Sequence, residues 1–257
     1  MANDVAYTVR SERAVRGGRR IALELDVARD RVPGVLLVPL EPRPAPAALL
    51  LHGYTSHKER MVDSAGRALL DVGVASLAID LPLHGERSEP VQELSLRNPL
   101  ELMRRWNGAL AEATAALRFL EEYPEVNGRR LALVGYSLGA FLAVIVAARE
   151  PLVRALVLAA GGDLPRGTPF DRLIRAVADP VRAVRKLGGR PLLMVHGRSD
   201  RTVRPEQAER LYAAAGEPKT IRWYDCGHWL PPAAIRDAAQ WLRDRLAAES
   251  EYVSRNA

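Results

Sequence analysis

Short apolar runs alternate with longer amphipathic segments along most of the chain. In the first forty residues, Gly-Gly and Pro-Gly turn signals separate three segments with strand character. Further on, unalternating apolar runs are separated by segments with helical periodicity. The predicted strands cover residues 5–10, 21–28, 35–39, 48–51, 74–79, 131–134, 155–158, 192–195 and 220–224, and the predicted helices cover residues 59–72, 100–123, 138–149, 205–215 and 233–249.

This order of elements predicts the fold class. Fully apolar strands that alternate with helices are typical of a parallel sheet buried between two layers of helices. We therefore expect an α/β fold with a mostly parallel sheet. A chain of 257 residues is ordinary for one α/β domain, so we expect a single domain over residues 1–257. No segment repeats at a fixed period, which argues against solenoids and propellers.

One long segment interrupts the alternation of strands and helices. About thirty residues, 161–190, separate two of the predicted strands. Insertions of this length between sheet elements are usually functional or mobile. We expect a small lid with one or two helices there. An ordinary connecting helix with long loops is the alternative.

Composition places the chain among globular proteins, with 48% apolar and 26% charged residues. Cys226 is the only cysteine, so no internal disulfide can form, which fits a reducing compartment. The first residues lack the basic start and apolar core of a signal peptide, and no apolar run reaches the roughly 18 residues of a membrane span. We expect a cytoplasmic protein without a membrane partner.

A net charge of +6 and a sequence pI near 9.8 make nucleic-acid binding worth considering. The basic residues are, however, scattered along the chain, and their densest groups are not interleaved with aromatic residues for base stacking. We therefore expect no nucleic-acid partner.

The clearest chemical signal follows the predicted strand at residues 131–134. There the chain reads Gly135-Tyr136-Ser137-Leu138-Gly139 and continues into an apolar helical segment. A strand–Gly-x-Ser-x-Gly–helix sequence is typical of a nucleophile elbow, in which glycines permit close packing around a strained serine. The N-terminus of the helix adds positive potential near a developing oxyanion. Ser137 is the predicted nucleophile, with a structural loop serine as the alternative.

A serine hydroxyl needs a general base to become a nucleophile at neutral pH. In elbows of this kind the acid and then the histidine follow the serine in the chain. Two histidines lie downstream of Ser137, namely His196 and His228. His228 lies between the last predicted strand and the last helix, at the sheet edge where ligands bind in open α/β folds. We predict His228 as the base and expect His196 to hold the neighbouring acid loop in shape.

The base in turn needs a carboxylate that orients it. Asp200 follows the strand at residues 192–195 by a short loop and is the predicted acid. Asp163, after the preceding strand, is the main alternative. Asp225 is too close in sequence to His228 to be the first choice.

An oxyanion hole needs two N–H donors, usually from the backbone. We predict the N–H groups of Leu138, directly after the nucleophile, and of Tyr54, in the loop after the strand at residues 48–51. Gly53 permits the close approach of that loop. His52 precedes the serine in the chain and is expected to brace the loop.

Taken together, these motifs resemble the α/β-hydrolase superfamily over residues 32–246. Within it, they resemble the branch of dienelactone hydrolases, prolyl-oligopeptidase catalytic domains and cinnamoyl or acetyl esterases. The motifs that carry the resemblance are His52-Gly53-Tyr54 with Lys58-Glu59, Asp80-Leu81-Pro82-Leu83-His84-Gly85, Gly135-Tyr136-Ser137-Leu138-Gly139, His196-Gly197 with Asp200, and Gly227-His228.

The resemblance implies an α/β-hydrolase fold with about eight strands, an antiparallel N-terminal strand, helices on both faces and a small lid. The chain departs from dienelactone hydrolases by having Ser137 where they have cysteine, and it has no room for the propeller of the oligopeptidases. What remains implied is a compact carboxylesterase in which the loop from Asp80 to His84 shapes the pocket.

We therefore expect a serine carboxylesterase that hydrolyses small-molecule esters with short- to medium-chain acyl groups. A peptidase, thioesterase or lactonase of the same fold is the alternative, and a non-catalytic binding module is a further one. Trp229, Tyr136 and His84 are predicted to contact substrate, whereas Trp106 fits a pocket wall and core packing equally well. No metal or cofactor is expected, because the sequence has neither a Cys/His ligand cluster nor a dinucleotide fingerprint.

Overall fold

The computed structural model describes residues 5–88, 99–165, 175 and 178–255. Within these ranges, nine strands form one sheet in the order β1-β2-β3-β5-β4-β6-β7-β8-β9. The strands are β1 (Tyr7–Val15), β2 (Gly18–Val27), β3 (Asp30–Pro39), β4 (Ala45–Leu51), β5 (Ala75–Ile79), β6 (Val126–Tyr136), β7 (Val153–Ala159), β8 (Leu192–Gly197) and β9 (Lys219–Tyr224).

The sheet divides into a parallel part and an antiparallel part. Strands β4 to β9 are mutually parallel. In contrast, β1 pairs antiparallel with β2, β2 with β3, and β3 with β5. Two-residue turns join β1 to β2 and β2 to β3, and such short turns can only link antiparallel strands. The expected α/β-hydrolase architecture is confirmed, and its antiparallel part comprises three strands where one was expected.

The antiparallel strands also extend beyond their predicted bounds. Strand β1 runs to Val15 and β3 begins at Asp30, although the sequence predicted strands only at residues 5–10 and 35–39. Nearly every side chain of β1 is exposed, and Asp30 and Arg31 are exposed as well. Hydrophobic pattern cannot reveal such positions, because backbone pairing in a hairpin extends the strands regardless of side-chain polarity.

Helices cover both faces of the sheet. On one face, α2, α3, α4 and α5 share a hydrophobic core with the strands, and on the other face α1 and α6 form a second core. The helices are α1 (Lys58–Met61, a π-helical turn Val62–Gly66, then Arg67–Asp71), α2 (Pro99–Glu122), α3 (Leu138–Arg149), α4 (Pro180–Val184), α5 (Pro205–Ala214) and α6 (Pro232–Arg255).

Strand β4 shows why the central strands lack polar alternation. Leu49 and Leu51 point into the core on the α2–α5 face, whereas Ala48 and Leu50 point into the core beneath α1 and α6. All four side chains are completely buried. Burying a leucine contributes about 1.5–3 kcal/mol, so both faces of the strand stabilise the fold.

The predicted lid at residues 161–190 is only partly described. Residues 166–174 and 176–177 lie outside the described residues, so the lid stays a prediction. The described end of the segment contains α4, which packs against α3. Asp179 caps α4 by accepting a hydrogen bond from the Arg182 backbone N–H at 3.0 Å. Among the described residues, no helix is both long and apolar enough to span a bilayer.

The end of β4 and the start of α3 approach each other very closely. A Cβ atom at Gly139, the second residue of α3, would lie 2.1 Å from the Leu51 carbonyl oxygen. A Cβ at Gly135, the penultimate residue of β6, would lie 2.3 Å from the Gly139 carbonyl oxygen. Only glycine permits this contact, since the atoms in the way belong to the backbone.

We expect Gly139→Ala to lower the free energy of unfolding by about 3 kcal/mol, because the strand and helix backbones must separate. Urea denaturation would measure the change. Gly216→Ala is the matched control, since a Cβ at Gly216 would meet nothing within 4 Å. Equal stability of the two variants would contradict the importance of this contact.

Candidate active site

Ser137 lies on the turn between β6 and α3. Its backbone adopts φ 51° and ψ −113°, a conformation that costs a non-glycine residue on the order of 1–3 kcal/mol. The Ser137 N–H donates to the Ala159 carbonyl at 2.9 Å, and the Ser137 carbonyl accepts from the Ala140 N–H at 2.9 Å. Surrounding hydrogen bonds thus hold the serine in its strained conformation at the end of β6.

His228 lies in the loop between β9 and α6 and contacts both Ser137 and Asp200. Its Nε2 is 2.9 Å from Ser137 Oγ, and its Nδ1 is 2.8 Å from Asp200 Oδ2. An ionised carboxylate can only accept, so Nδ1 carries the hydrogen and the Nε2 lone pair faces the serine hydroxyl. This tautomer is the one that a general base at Nε2 requires.

Asp200 is fixed by its own loop. The side chain is completely buried, and Oδ1 accepts hydrogen bonds from the Thr202 N–H at 2.8 Å and the Val203 N–H at 3.0 Å. The second carboxylate oxygen is left to face His228. The turn after β8 therefore sets the direction of the carboxylate.

His196, the other downstream histidine, lies at the end of β8 beneath the same turn. It is completely buried, and its Nε2–H donates to the Val203 carbonyl at 2.8 Å. Its ring packs edge-on against Trp223, and burial lowers the pKa of His196. A neutral ring in this place fastens the loop that carries Asp200, which is the role expected of it.

Asp163, the alternative acid, lies in a separate cluster. Its carboxylate accepts from Arg175 at 2.8 Å and from Arg210 at 3.0 Å. Burial would raise the pKa of Asp163, but the two guanidinium groups outweigh it and hold the pKa below its usual value. Its carboxylate is thus engaged by arginines, whereas that of Asp200 faces His228.

The loop after β4 lies directly against the serine. A Cβ at Gly53 would be 3.3 Å from Ser137 Cβ and 3.3 Å from the Tyr136 ring. Tyr54 follows and lines the same cavity as Ser137 and His228. Leu138 is the first residue of α3, where the backbone N–H has no acceptor within the helix. The two predicted oxyanion donors therefore belong to two segments that adjoin Ser137.

His52 joins this loop to the loop after β5. Its Nε2 accepts from the Leu81 N–H at 3.0 Å, so Nδ1 carries the hydrogen and donates to the Gly53 carbonyl at 2.8 Å. The ring is completely buried, and burial lowers the pKa of His52 to about 4. A neutral His52 is thus built into the base of the loop.

A buried ion network that sequence reasoning missed ties the same two loops together. Asp80 is completely buried and accepts from both the backbone N–H and the Nζ of Lys58, each at 2.8 Å. Lys58 also contacts Glu86. Burial would lower the pKa of Lys58, but the hydrogen bonds to the two carboxylates outweigh it and raise that pKa. Asp80 and Lys58 both belong to the motifs that carry the family resemblance. The presence of two opposite charges in these motifs was the signal in the sequence that could have indicated the pair.

The three predicted substrate contacts occupy different places. Trp229 is 64% exposed and lines the cavity beside His228. Tyr136 also lines it, and its hydroxyl donates to the His228 carbonyl, so Tyr136 also holds the His228 loop. Burial raises the pKa of Tyr136 to about 12. His84 does not line the cavity but packs edge-on against Tyr54 at 5.6 Å between ring centroids, and its substrate contact stays a prediction.

A cavity of about 590 Å³ opens at Ser137 and His228. None of the described residues of the segment 161–190 lines it; its deeper walls come from the sheet, α1 and α6. Trp106 packs against the core on the α2–α5 face and is not a cavity wall. In the part of the chain that is described, no group of three or more His, Cys, Asp or Glu side chains is arranged to hold a metal ion.

Comparison with known proteins identifies the family of this chain. A family model described as the alpha/beta hydrolase family matches residues 48–189, more than half of the chain. The chain belongs to the alpha/beta hydrolase family. The matched part of this hydrolase includes the loop after β4 and the serine elbow, whereas Asp200 and His228 follow it.

Individual relatives of this hydrolase include several esterases. The esterase YjfP of Escherichia coli (strain K12) is 25% identical over 228 residues, which cover 79% of this chain and 90% of that protein. A cold-adapted esterase from an Arctic intertidal metagenomic library has a TM-score of 0.73 at 22% identity, covering 93% of this chain and 99% of that one. Acetyl xylan esterase 1 from Thermoanaerobacterium sp. JW/SL YS485 has a TM-score of 0.75 at 18% identity, covering 94% of this chain and 88% of that one. The two structural likenesses show a shared fold.

The lowered pKa of His52 predicts a loss of stability in acid. Between its ordinary value of 6.5 and about 4, the unfolded chain binds a proton at His52 and the folded chain does not, so stability falls as pH falls through this window. His52→Gln keeps an acceptor for the Leu81 N–H but does not titrate. From about pH 7 to about pH 5, we expect the wild type to lose about 2 kcal/mol more unfolding free energy than this variant.

Urea denaturation at the two pH values measures this difference. His57→Gln is the matched control, because His57 is exposed on the same loop and its replacement should retain the wild-type acid sensitivity. Equal acid sensitivity of His52→Gln and the wild type would show that His52 takes up its proton equally in both states.

Proposed function

We propose that this alpha/beta hydrolase is a serine carboxylesterase that acts on small-molecule esters through an acyl-enzyme on Ser137. The hydrogen-bonded series Ser137 Oγ–His228–Asp200, with distances of 2.9 and 2.8 Å, is the observation that carries the proposal. The names of the relatives, an esterase of Escherichia coli and an acetyl xylan esterase among them, support ester chemistry. The cytoplasmic location and the single domain over residues 1–257 stay predictions.

In the first half-reaction, His228 Nε2 removes the Ser137 hydroxyl proton as Oγ attacks the ester carbonyl carbon. The carbonyl π electrons move to oxygen, and the N–H groups of Tyr54 and Leu138 donate to that oxyanion. The imidazolium of His228, stabilised by the Asp200 carboxylate, then gives its proton to the leaving alcohol as the C–O bond breaks. An acyl-enzyme ester on Ser137 remains.

The second half-reaction repeats these roles with water. His228 takes a proton from water, the hydroxide attacks the acyl carbonyl, and Ser137 leaves with the proton returned by His228. The same steps would cleave a thioester, a lactone or a peptide bond, because acyl transfer to serine is common to all of them. The ester is proposed over these alternatives on the strength of the esterase relatives.

The first test measures release of p-nitrophenol from p-nitrophenyl acetate and butyrate. We expect Ser137→Ala to lower kcat roughly 10⁴-fold or more, because the nucleophile is lost. Ser11→Ala, on the exposed strand β1, is the matched control and should keep wild-type activity. Equal rates of Ser137→Ala and the wild type would reject the proposal. Faster turnover of peptides, thioesters or lactones than of esters would show that the enzyme cleaves that other type of bond.

A second test separates the two candidate acids. We expect Asp200→Asn to lower kcat by roughly 10⁴-fold, because an asparagine at this position favours the wrong tautomer of His228. Asp163→Asn is the matched change in the arginine-paired cluster and should lower kcat less than tenfold for the folded fraction. Steady-state kinetics, normalised by the folded fraction from circular dichroism, compares them, and the reverse order of effects would assign the acid role to Asp163.

A further inference from the structure

The cavity at Ser137 continues into the protein on the face of the sheet that α1 and α6 cover. Val134, Val157 and Val195 form its floor on the sheet, and each lies two residues before the last residue of its strand. Its volume of about 590 Å³ lies within the range of small-molecule sites. Because Ser137 and His228 also line it, we take this space as the binding cavity.

The chemistry of the lining changes with depth. Polar side chains such as Ser56, Arg60 and Thr202 are exposed or half-buried and belong to loops and to the start of α1. The buried part of the lining consists mainly of valines of the sheet and of alanines and leucines of the helices. Water in such a space finds too few polar partners to be held well. The inner part of the cavity therefore favours an uncharged hydrocarbon group.

Small side chains on the helices create the space. Ala234, Ala238 and Leu242 recur every four residues on α6 and line one wall, and Ala65 of α1 lines another. Eight residues of helix correspond to about 12 Å, which is the length of wall that these positions provide. Leucine at the alanine positions would fill the cavity, as large side chains do elsewhere in the same core.

Two aromatic side chains stack on one another at the mouth of this cavity. Tyr136 and Trp229 stack on one another at 6.1 Å between ring centroids, and the Arg60 guanidinium lies 5.3 Å above the Trp229 ring. All three line the cavity together with Ser137 and His228. The charge of Arg60 thus stays at the exposed rim, and the reacting serine faces the apolar interior.

We propose that this cavity binds the unbranched aliphatic chain of a medium-chain ester, about eight carbons long, while the ester group lies at Ser137. The proposal rests on the proposed carboxylesterase function and adds the substrate class. Each methylene that leaves water favours binding about fourfold, so octanoyl esters should react with a higher kcat/KM than acetyl esters. The aliphatic chain of the substrate lies beneath α1 and α6, on the opposite side of the sheet from α4.

The test compares kcat/KM for p-nitrophenyl esters from acetate to dodecanoate in the wild type and in variants. We expect the octanoate-to-acetate ratio to fall about tenfold or more in Ala238→Leu, because the added side chain takes up the space of several methylenes. Ala65→Leu narrows the cavity from the opposite wall and should shift the ratio in the same direction. Leu242→Ala lengthens the cavity and should move the preferred chain to longer esters.

Ala247→Leu is the matched control, since Ala247 is exposed on the same helix and does not line the cavity. Its octanoate-to-acetate ratio should equal that of the wild type. A parallel series of alkyl acetates, from ethyl to octyl, shows which side of the ester occupies the cavity. The proposal is supported if kcat/KM rises with chain length in either series and Ala238→Leu removes that rise.

Two kinds of failure are distinguishable. If the wild type hydrolyses acetate esters but Ala238→Leu, Ala65→Leu and Ala247→Leu all share its chain-length profile in both series, the cavity proposal is wrong and the esterase function stands. If the wild type hydrolyses no ester, the proposed function itself is wrong. Thermal unfolding and titration of Ser137 with a fluorophosphonate confirm that each compared variant is folded.

Discussion

The close contact between the end of β4 and the start of α3 is the constraint on which the candidate site depends. Because Gly139 has no side chain, α3 begins against the Leu51 carbonyl, at the carboxyl end of the central strand. The turn between β6 and α3 must then be very tight, and Ser137 takes a positive φ there. The same contact brings Gly53 against Ser137. One backbone approach thus brings together the nucleophile and the loop that faces it.

Polar groups that are buried or half-buried hold the four loops around the serine. On one side, His52 and the Lys58–Asp80 pair join the loop after β4 to the loop after β5. On the other side, His196 and Tyr136 hold the loops of Asp200 and His228 through backbone carbonyls. Removing one partner of a buried charge pair leaves the other uncompensated. The polar groups that surround the site therefore stabilise the fold and the geometry of the site together.

The two faces of the sheet differ in how they are filled. The face of α2, α3, α4 and α5 carries the larger buried cluster, whereas the face of α1 and α6 encloses the cavity. Because the strands are apolar on both sides, they pack against the helices on one face and line the cavity on the other. Residues such as Val134 and Val157 stabilise the sheet and also form the cavity floor. The cavity beside Ser137 is thus created by small side chains within a core, and none of the described residues at 161–190 lines it.

The sequence by itself determined the order of elements, the serine elbow and the small set of candidate residues around it. It could do so because buried parallel strands need unbroken apolar runs and because a tight elbow needs glycine on both sides of the serine. Only the tertiary structure decided that Asp200 and not Asp163 faces His228, that Lys58 pairs with Asp80, and that a cavity lies beneath α6. These features depend on distances between residues far apart in the chain. The alanines of α6 also look like ordinary helix formers until the opposite wall is seen.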